Sequence, residues 1–281
     1  MKTTPDIAVV HLVRAVNTLE ALSRFLGSYC THAAGSPHHL IFLLKGFGKE
    51  LPPAVAAILN RVSHSKIYCP DSGYDIGSYY YATERIRESL VFFANSFSIL
   101  QGDQWLSKFL YAYHEAGVGL VGATGSWESL SSDFLNSRPM GSDYSIQTLL
   151  TNVKALTIGT PLLALFPAFP NIHVRTNGFL LDRKDFIALR PRRMRTKLEA
   201  RLFESGRNSM TRRMLNLGRR VVVVGRNGSV YQPEEWPRSM TFWQSNQENL
   251  LVQDNRTIAY ANDDAEMQAL KFRFAWACRR V

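Results

Sequence analysis

Two stretches of the chain decide the fold: residues 66–82 (KIYCPDSGYDIGSYYYA) and residues 90–100 (LVFFANSFSIL). Each begins as a short apolar strand and runs straight into small and polar residues at its carboxyl end. In open α/β sheets, ligands bind at the carboxyl ends of the strands. We therefore expect the chemistry of this protein to lie at these two strand ends.

Strands and helices alternate over the first half of the chain. Apolar runs predict strands, and amphipathic spacing with the apolar residues on one side predicts helices. The predicted strands are residues 7–13, 39–44, 67–69, 90–94 and 119–122, and the predicted helices are residues 17–29, 54–62, 79–89 and 105–116. This alternation favours an α/β, Rossmann-like fold with a mainly parallel sheet and helices on both faces.

The second half of the chain is less regular. Residues 125–145 are rich in Ser, Gly, Asp and Asn, and a loop of this length inside a domain is either a functional lid or a disordered segment. The pattern then predicts a helix at 146–158, a strand at 174–181, a basic helix-like stretch at 203–218, a strand at 220–224 and a polar segment at 239–260. Glu204 falls near the beginning of the basic stretch, which predicts a carboxylate at a helix start.

Length and composition limit the class of protein. With 281 residues and 46% apolar content, we expect one domain over residues 1–281 rather than a domain with an appended subdomain. The three cysteines are widely spaced and form no CxxC pair, which argues against a disulfide framework or a zinc site and favours a reducing cytoplasm. No apolar run approaches the roughly 20 residues that span a bilayer, so we expect a mature soluble chain.

The net charge of +10 is unevenly distributed, with basic residues concentrated between residues 183 and 226. Such a region attracts an anionic partner. The candidates are a nucleotide diphosphate, an anionic membrane surface that carries a lipid-linked acceptor, and nucleic acid; a solvated surface without a dedicated partner is the fourth possibility. Because the chain lacks every common nucleic-acid-binding motif, we expect no nucleic-acid partner.

Several segments, in their order along the chain, resemble a known family. They are HLVR at 11–14 with the helix that follows it, SGYDIGSY at 72–79, FANS at 93–96, GLVGAT at 119–124 and HVRTNGF at 173–179. Together they are similar to bacterial glycosyltransferases of the GT-A fold, in the branch related to rhamnan-synthesis and surface-polysaccharide proteins. The resemblance implies that residues 1–125 bind a nucleotide sugar and that residues 126–281 bind a glycan or lipid-linked acceptor and carry catalysis. It also implies an enzyme of bacterial surface polysaccharide or lipopolysaccharide synthesis. The basic run at residues 190–195 and the lack of a predicted membrane span lead us to expect a cytoplasmic enzyme that docks on the inner membrane.

The resemblance assigns donor binding to five residues at the strand ends: Arg14, Gly73, Asp75, Asn95 and Ser96. Glycine permits close approach of the backbone to a ligand, and an Asp accepts hydrogen bonds from ribose or base. Each residue also has a plainer role. Asp and Gly form turns, and Asn and Ser end strands.

One departure from the family concerns the metal. The chain contains no Asp-x-Asp, the pair that holds a divalent ion against the donor diphosphate. Dependence on Mg²⁺ or Mn²⁺ therefore stays open, and no metal ligands are assigned. Without a cation, Arg or Lys has to balance about two negative charges. The candidates are Arg14, Arg175, Arg207, Arg212 and Arg213, of which Arg207 and Arg212 are our predicted phosphate-binding residues.

Glu204 is the predicted catalytic base. An inverting transferase needs a carboxylate that removes the proton from the acceptor hydroxyl, and the resemblance places it at Glu204. The alternative is that Glu204 only stabilises a helix start by about 0.3 to 1 kcal/mol.

Two further residues are predicted to face the acceptor. His173 follows Pro170 at a strand start, and Asp254 lies in the polar segment QDNRT. A structural hydrogen bond is the alternative role for this histidine, and a tight turn is the alternative for this aspartate.

We expect an inverting, nucleotide-sugar-dependent glycosyltransferase. A non-catalytic module of the same fold that binds glycan or nucleotide is the alternative. Hydrolysis of the donor separates the two, because only a catalytic site transfers the sugar to water.

Overall fold

The computed structural model describes residues 6–17, 19–48, 50–132, 164–190 and 194–277. The strands in these ranges are β1 (Ile7–Arg14), β2 (His39–Lys45), β3 (Ser65–Cys69), β4 (Leu90–Ala94), β5 (Ile99–Leu100), β6 (Val118–Gly122), β7 (Gly125–Ser126), β8 (His173–Val174), β9 (Gly178–Asp182), β10 (Arg220–Val224), β11 (Val230–Tyr231) and β12 (Val252–Gln253). The helices are α1 (Leu19–Thr31), α2 (Pro53–Leu59), α3 (Tyr74–Thr83), α4 (Trp105–His114), α5 (Arg183–Ala188), α6 (Lys197–Ser205), α7 (Met210–Asn216), α8 (Asn255–Ala261) and α9 (Ala265–Trp276), with a 3₁₀ turn at Trp236–Arg238.

A mixed eight-stranded sheet forms the centre, in the order β3-β2-β1-β4-β9-β6-β10-β11. β1, β2, β3 and β4 are mutually parallel, and β6 and β10 form a second parallel pair. β9 lies antiparallel between β4 and β6 and joins these two groups. The predicted mainly parallel α/β sheet is confirmed.

Alternate residues of the strands point to opposite faces, and each face is covered by helices. Along β1, Val10 and Leu12 belong to one buried cluster, which also contains residues of α3, α5, α6 and α7. Val9 and Val13 belong to the other cluster, which contains residues of α1, α2 and α4. Helices on both faces were predicted and are confirmed.

Two helix predictions are corrected. The helix predicted at 79–89 begins at Tyr74 and ends at Thr83. It starts early because Gly73 has a φ of 75° and turns the chain into the helix. The basic stretch forms two helices, α6 and α7, because Gly206 ends the first and Ser209 caps the second. Glu204 therefore lies in the last turn of α6, and the prediction that it lies at a helix start was wrong.

The strand predicted at 174–181 is divided into β8 and β9, so Arg175, Thr176 and Asn177 lie in the connection between them. Residues 133–145 of the predicted loop and the helix predicted at 146–158 lie outside the described residues. In the part of the chain that the structure describes, no helix combines the length and the apolar character needed to cross a membrane.

Candidate active site

An open cleft of about 560 Å³ lies where β1, β2 and β3 end. Arg14 ends β1 and Lys45 ends β2, and they are register partners. Both line the cleft, together with residues of the loop that leads from β3 into α3 and with Met194 and Arg195. The cleft lies at the predicted sheet edge, and its position follows from the parallel strand order.

Arg14 forms a loose ion pair across the mouth of the cleft. Its Nη2 lies 3.5 Å from Asp71 Oδ1, and 34% of the Arg14 side chain and 46% of the Asp71 side chain are exposed. Gly46 makes room for this carboxylate. It has a φ of 75°, and a Cβ at this position would lie 3.0 Å from the Asp71 Cβ.

Lys45 is only 2% exposed, although it lines the cleft. Its Nζ donates a hydrogen bond to the Tyr74 carbonyl oxygen at 2.6 Å. Burial lowers the pKa of Lys45, and the negative charge of Asp75 only partly opposes this effect. The lysine thus brings a positive charge with little screening by water to the floor of the cleft.

Asp75 lies half-buried in the first turn of α3. Burial raises its pKa; Lys45 and Arg14 act in the opposite direction, and Glu204 adds to the rise. Glu204, from α6, is therefore within electrostatic reach of Asp75. The hydroxyl group of Tyr79 supports this, because burial, Asp75 and Glu204 together raise its pKa well above the usual value.

Gly73 is the residue before α3, and a side chain there would be strained because of the positive φ. A Cβ on Gly73 would also lie 3.1 Å from the Gly77 Cα and 3.5 Å from the Met194 carbonyl oxygen. The segment at Met194 thus passes directly over the start of α3 and forms one wall of the cleft.

A smaller cavity of about 190 Å³ adjoins the cleft, and Arg14 lines both. Its other lining residues include His11, Asn17 and the buried Ser96. His11 Nδ1 and Asn17 Nδ2 are buried without a hydrogen-bond partner. The His11 ring stacks on Phe25 at 3.6 Å, and burial lowers the pKa of His11 to about 3.

Asn95 forms the turn that follows β4. Its Oδ1 accepts hydrogen bonds from the Phe97 backbone N–H at 2.9 Å and from Ser98 Oγ at 3.2 Å. This bonding holds the turn that presents Ser96 to the smaller cavity.

Thr176, in the connection between β8 and β9, holds the Glu204 side chain in place. Its Oε1 accepts hydrogen bonds from the Thr176 backbone N–H at 3.0 Å and from Thr176 Oγ1 at 3.4 Å. A carboxylate in the last turn of a helix is disfavoured by the helix dipole. The macrodipole therefore does not account for Glu204, whereas the contact with Thr176 fixes its position.

His173 and Arg256 are within electrostatic reach of Glu204, and Glu128 is within electrostatic reach of both. His173 is buried, and its Nδ1 donates to the Asn171 carbonyl oxygen at 2.7 Å. Burial lowers the pKa of His173, although Glu204 and Glu128 act in the opposite direction. Glu128 Oε2 lies 3.1 Å from Arg256 Nη2. Burial raises the pKa of Glu128, but Arg256 and His173 outweigh it and hold the pKa below the usual range.

Asp254 is buried and does not line either cavity. Its Oδ1 accepts from the Thr257 backbone N–H at 2.9 Å and caps α8, and its Oδ2 accepts from Arg175 Nη2 at 2.8 Å. Both carboxylate oxygens thus accept hydrogen bonds from other residues of the protein. Arg175 also donates to Thr124 Oγ1 at 3.3 Å and lies over the Phe242 ring at 4.1 Å.

The arginines between residues 207 and 213 lie outside the cleft lining. Arg207 Nε donates to the Ala164 carbonyl oxygen at 2.8 Å. Arg213 donates to the carbonyl oxygens of Leu189 and Ala188. Arg212 follows Ser209, the cap of α7, and its Nε is buried without a hydrogen-bond partner.

The structure thus brings part of the predicted set together. Arg14 and Gly73 line one cleft, and Ser96 lines the adjoining cavity. Asp75, one residue beyond the cleft lining, is within electrostatic reach of Arg14, Lys45 and Glu204. The other predicted residues line neither cavity; they are Asp75, Asn95, His173, Glu204, Arg207, Arg212 and Asp254.

Sequence reasoning missed Lys45, Glu128 and Arg256. A signal for Lys45 was present, since a lysine directly after the apolar run LIFLL is unusual in a buried strand. Glu128 and Arg256 are 128 positions apart in the chain, and nothing in the sequence indicates their pairing.

The described residues that line the cleft do not fit a divalent cation, because they include one carboxylate, Asp71, and three cationic side chains, Arg14, Lys45 and Arg195. Among the described residues, no group of three His, Cys, Asp or Glu side chains could hold a metal ion. Asp75 is instead influenced by the positive charges of Lys45 and Arg14, which repel a cation placed beside it.

No protein-family model matches the sequence, and no curated protein matches it either. One solved structure with a similar chain path is a mannosyltransferase from Pyrobaculum calidifontis in complex with GDP-Man and Mn²⁺. It matches at 11% identity and a TM-score of 0.48, and the match covers 78% of this chain and 55% of that one. A 4-diphosphocytidyl-2C-methyl-D-erythritol synthase from Anaerococcus prevotii matches at 12% identity and a TM-score of 0.45, over 93% of this chain and 98% of that one.

A glucosyl-3-phosphoglycerate synthase from Mycobacterium tuberculosis, solved with Mn²⁺, UDP and phosphoglyceric acid, matches at 14% identity and a TM-score of 0.38, over 64% of this chain and 57% of that one. The chain thus spans just over half the length of both sugar-transferring proteins. Because all three TM-scores lie below 0.5, the function of this chain has to be derived from its own residues.

Proposed function

We propose that the protein transfers a sugar from a nucleotide-sugar donor to a hydroxyl group of a glycan or lipid-linked acceptor. One observation carries this proposal. Two cationic side chains, Arg14 and Lys45, line one cleft at the carboxyl ends of parallel strands, and two carboxylates, Asp75 and Glu204, are within electrostatic reach of one another beside it. Positive charge for a leaving diphosphate and a separate carboxylate for an attacking hydroxyl are the two requirements of glycosyl transfer.

The reaction assigns a role to each side of the cleft. The acceptor oxygen forms a bond to the anomeric carbon, and the bond from that carbon to the diphosphate oxygen breaks. Glu204 removes the proton of the acceptor hydroxyl, and the electron pair of the broken bond leaves with the nucleoside diphosphate. Attack from the face opposite the leaving group inverts the anomeric carbon, so the mechanism we propose is inverting.

We assign the donor-binding residues to the first half of the chain and the acceptor-side residues to the second half. Residues 1–125 contain Arg14, Gly73, Asp75, Asn95 and Ser96, which we assign to the donor. Residues 126–281 contain Glu204 and His173, and the Glu128–Arg256 pair lies within electrostatic reach of both. A carboxylate and a guanidinium side by side suit recognition of neighbouring hydroxyl groups. We therefore assign this pair to the acceptor side.

We propose a place for the reaction in bacterial surface polysaccharide or lipopolysaccharide synthesis, in the cytoplasm at the inner membrane. The basic region at residues 183–226 supports this, because each Lys or Arg near an anionic membrane surface contributes about 1 kcal/mol of attraction. Flotation with vesicles of neutral and of anionic lipid tests the membrane part. Equal binding to both kinds of vesicle contradicts it.

Donor hydrolysis tests the central proposal. The protein is incubated with a panel of UDP-, GDP-, dTDP- and ADP-sugars, and release of the nucleoside diphosphate is measured with and without acceptor extract. Slow release from at least one donor without acceptor, accelerated by the extract, is expected. Binding of a nucleotide without any release from a sugar donor identifies the non-catalytic module instead.

A further inference from the structure

The ends of β1 and β2 place two positive charges side by side. Arg14 and Lys45 are register partners on neighbouring parallel strands, which lie about 4.8 Å apart. Both side chains line the same cleft, so their charges repel one another. An anion between them relieves this repulsion.

The carboxylates nearby leave hydrogen-bonding capacity on both cations. Asp71 is 3.5 Å from Arg14 in a largely exposed pair, and such pairs contribute little. Arg14 Nε is buried without a hydrogen-bond partner. Lys45 Nζ has one hydrogen bond, to the Tyr74 carbonyl oxygen, whereas an ammonium group carries three donors.

The surroundings of the pair also favour an anion. The ten-residue helix α3 begins beside it, with Ser72, Gly73 and Tyr74 in the cleft lining. Backbone N–H groups at a helix start favour negative charge. No side chain caps this helix, so its first N–H groups are not satisfied by a side chain of the protein.

We infer that Arg14 and Lys45 bind the diphosphate of the donor directly, in the place where a divalent cation binds it in a metal-dependent enzyme. This inference rests on the proposed function, and it names the group that balances the leaving charge. A planar guanidinium contacts two phosphate oxygens at once, and the ammonium contacts the neighbouring phosphate as a point charge. The pair replaces Arg207 and Arg212 as the phosphate-binding residues, since those two lie outside the cleft lining.

The test measures binding of nucleoside diphosphates by calorimetry and thermal shift. The full chain is titrated with UDP, GDP, ADP, CDP and dTDP and with inorganic pyrophosphate, each in EDTA and in MnCl₂. At least one nucleoside diphosphate is expected to bind in EDTA, with a dissociation constant that Mn²⁺ changes by less than about threefold, since the charge is already balanced.

Two variants identify the cations. Lys45→Met and Arg14→Gln are each expected to weaken binding of that nucleotide by about 10- to 100-fold, the range for hydrogen bonds to charged groups. Arg24→Met is the matched control, because it removes an exposed arginine of α1 that lies outside the cleft. It is expected to leave the affinity unchanged. Circular dichroism and the melting temperature of each variant show whether it is folded, and Arg14→Gln keeps the test valid if Lys45→Met does not fold.

The outcomes separate this inference from the proposed function. Nucleotide binding that requires Mn²⁺, or that survives in folded Lys45→Met and Arg14→Gln, overturns the direct role of the pair and leaves the transferase proposal standing. Pyrophosphate binding in EDTA without binding of any nucleotide supports the anion site and contradicts the nucleotide-sugar donor. If no probe binds in either solution, both are wrong.

Discussion

Two arginine–aspartate ion pairs of the described residues differ in length and in exposure. The Arg14–Asp71 pair spans 3.5 Å, with 34% and 46% of the side chains exposed. The Arg175–Asp254 pair spans 2.8 Å, with 5% and 2% exposed. The residues of the first pair line the cleft, and those of the second do not.

The difference shows that residue type does not decide the role of a charged pair. Around Arg175, Thr124 and Phe242 add contacts to the guanidinium, although its Nε has no hydrogen-bond partner, and Asp254 also caps α8. Around Arg14, one loose contact and an unpartnered Nε leave room for a ligand. The short, buried pair has several further contacts and supports the surrounding backbone, whereas the longer, partly exposed pair is accessible to a ligand.

Glu204 bonds to Thr176, the neighbour of Arg175, and is within electrostatic reach of Asp75, near Arg14. Of the substitutions that test the comparison, Glu204→Gln is expected to have the largest effect, on turnover. Glu204→Gln keeps an oxygen that accepts the Thr176 N–H bond but removes the base. Because general base catalysis contributes about 10²- to 10⁴-fold, turnover is expected to fall by that factor while nucleotide affinity stays within about twofold. Sugar transfer and nucleotide binding are measured on the same preparation.

Glu248→Gln is the control for this substitution, because Glu248 is exposed and outside the lining of both cavities. It is expected to keep full activity. A folded Glu204→Gln protein that retains most of the turnover shows that the base is another group. Glu204 would then belong to the supporting residues of the site, together with Arg175 and Asp254.

Asp254→Asn breaks the buried pair and is expected to have the next largest effect. Asn still caps a helix, so the change isolates the loss of charge opposite Arg175. An uncompensated buried charge typically lowers stability by about 3 to 5 kcal/mol. Urea unfolding measures the free energy of unfolding. A loss below about 1 kcal/mol contradicts the supporting role of this pair.

The strands of the first half were predictable from the sequence because each of them carries its own signal. The apolar runs of β1, β2 and β4 begin where predicted, since buried parallel strands are continuously apolar. Their carboxyl ends then had to meet at one edge. This is why the placement of Arg14, Asp75 and Ser96 near one another was predictable from strand ends alone.

The second half was less predictable because its contacts join distant parts of the chain. The helix break at Gly206 moves Glu204 from a predicted helix start to a helix end. The bonds of Asp254 to Arg175 and of Glu128 to Arg256 depend on tertiary packing. An aspartate in a polar segment and a buried aspartate in an ion pair have the same local sequence signature, so the pattern did not separate them.

Near the partly exposed Arg14–Asp71 pair, β1 carries a buried histidine, His11. Its burial predicts that the stability of the protein depends on pH. His11 precedes Arg14 on β1, and burial lowers its pKa to about 3. Between about pH 6.5 and pH 3 the unfolded chain binds a proton at His11 and the folded chain does not, so stability falls as the pH falls. The expected loss from this group is about 2 kcal/mol between pH 6.5 and pH 5.

His11→Phe keeps the aromatic stack on Phe25 and removes the titrating group. The difference in free energy of unfolding between the variant and the natural protein is measured by urea unfolding at pH 7 and at pH 5. The variant is expected to lose about 2 kcal/mol less than the natural protein over this interval. Parallel losses in the two proteins contradict the assignment of the pH dependence to His11.

Asp71→Asn breaks the exposed pair and is expected to have the smallest effect. Because both side chains are partly in water and 3.5 Å apart, the free energy of unfolding is expected to change by less than about 1 kcal/mol. Urea unfolding in parallel with Asp254→Asn compares the same chemical change at the two pairs. If Asp71→Asn destabilises the protein as much as Asp254→Asn does, Arg14 is held by the protein as firmly as Arg175 is. Its guanidinium is then part of the scaffold and is not available to a ligand.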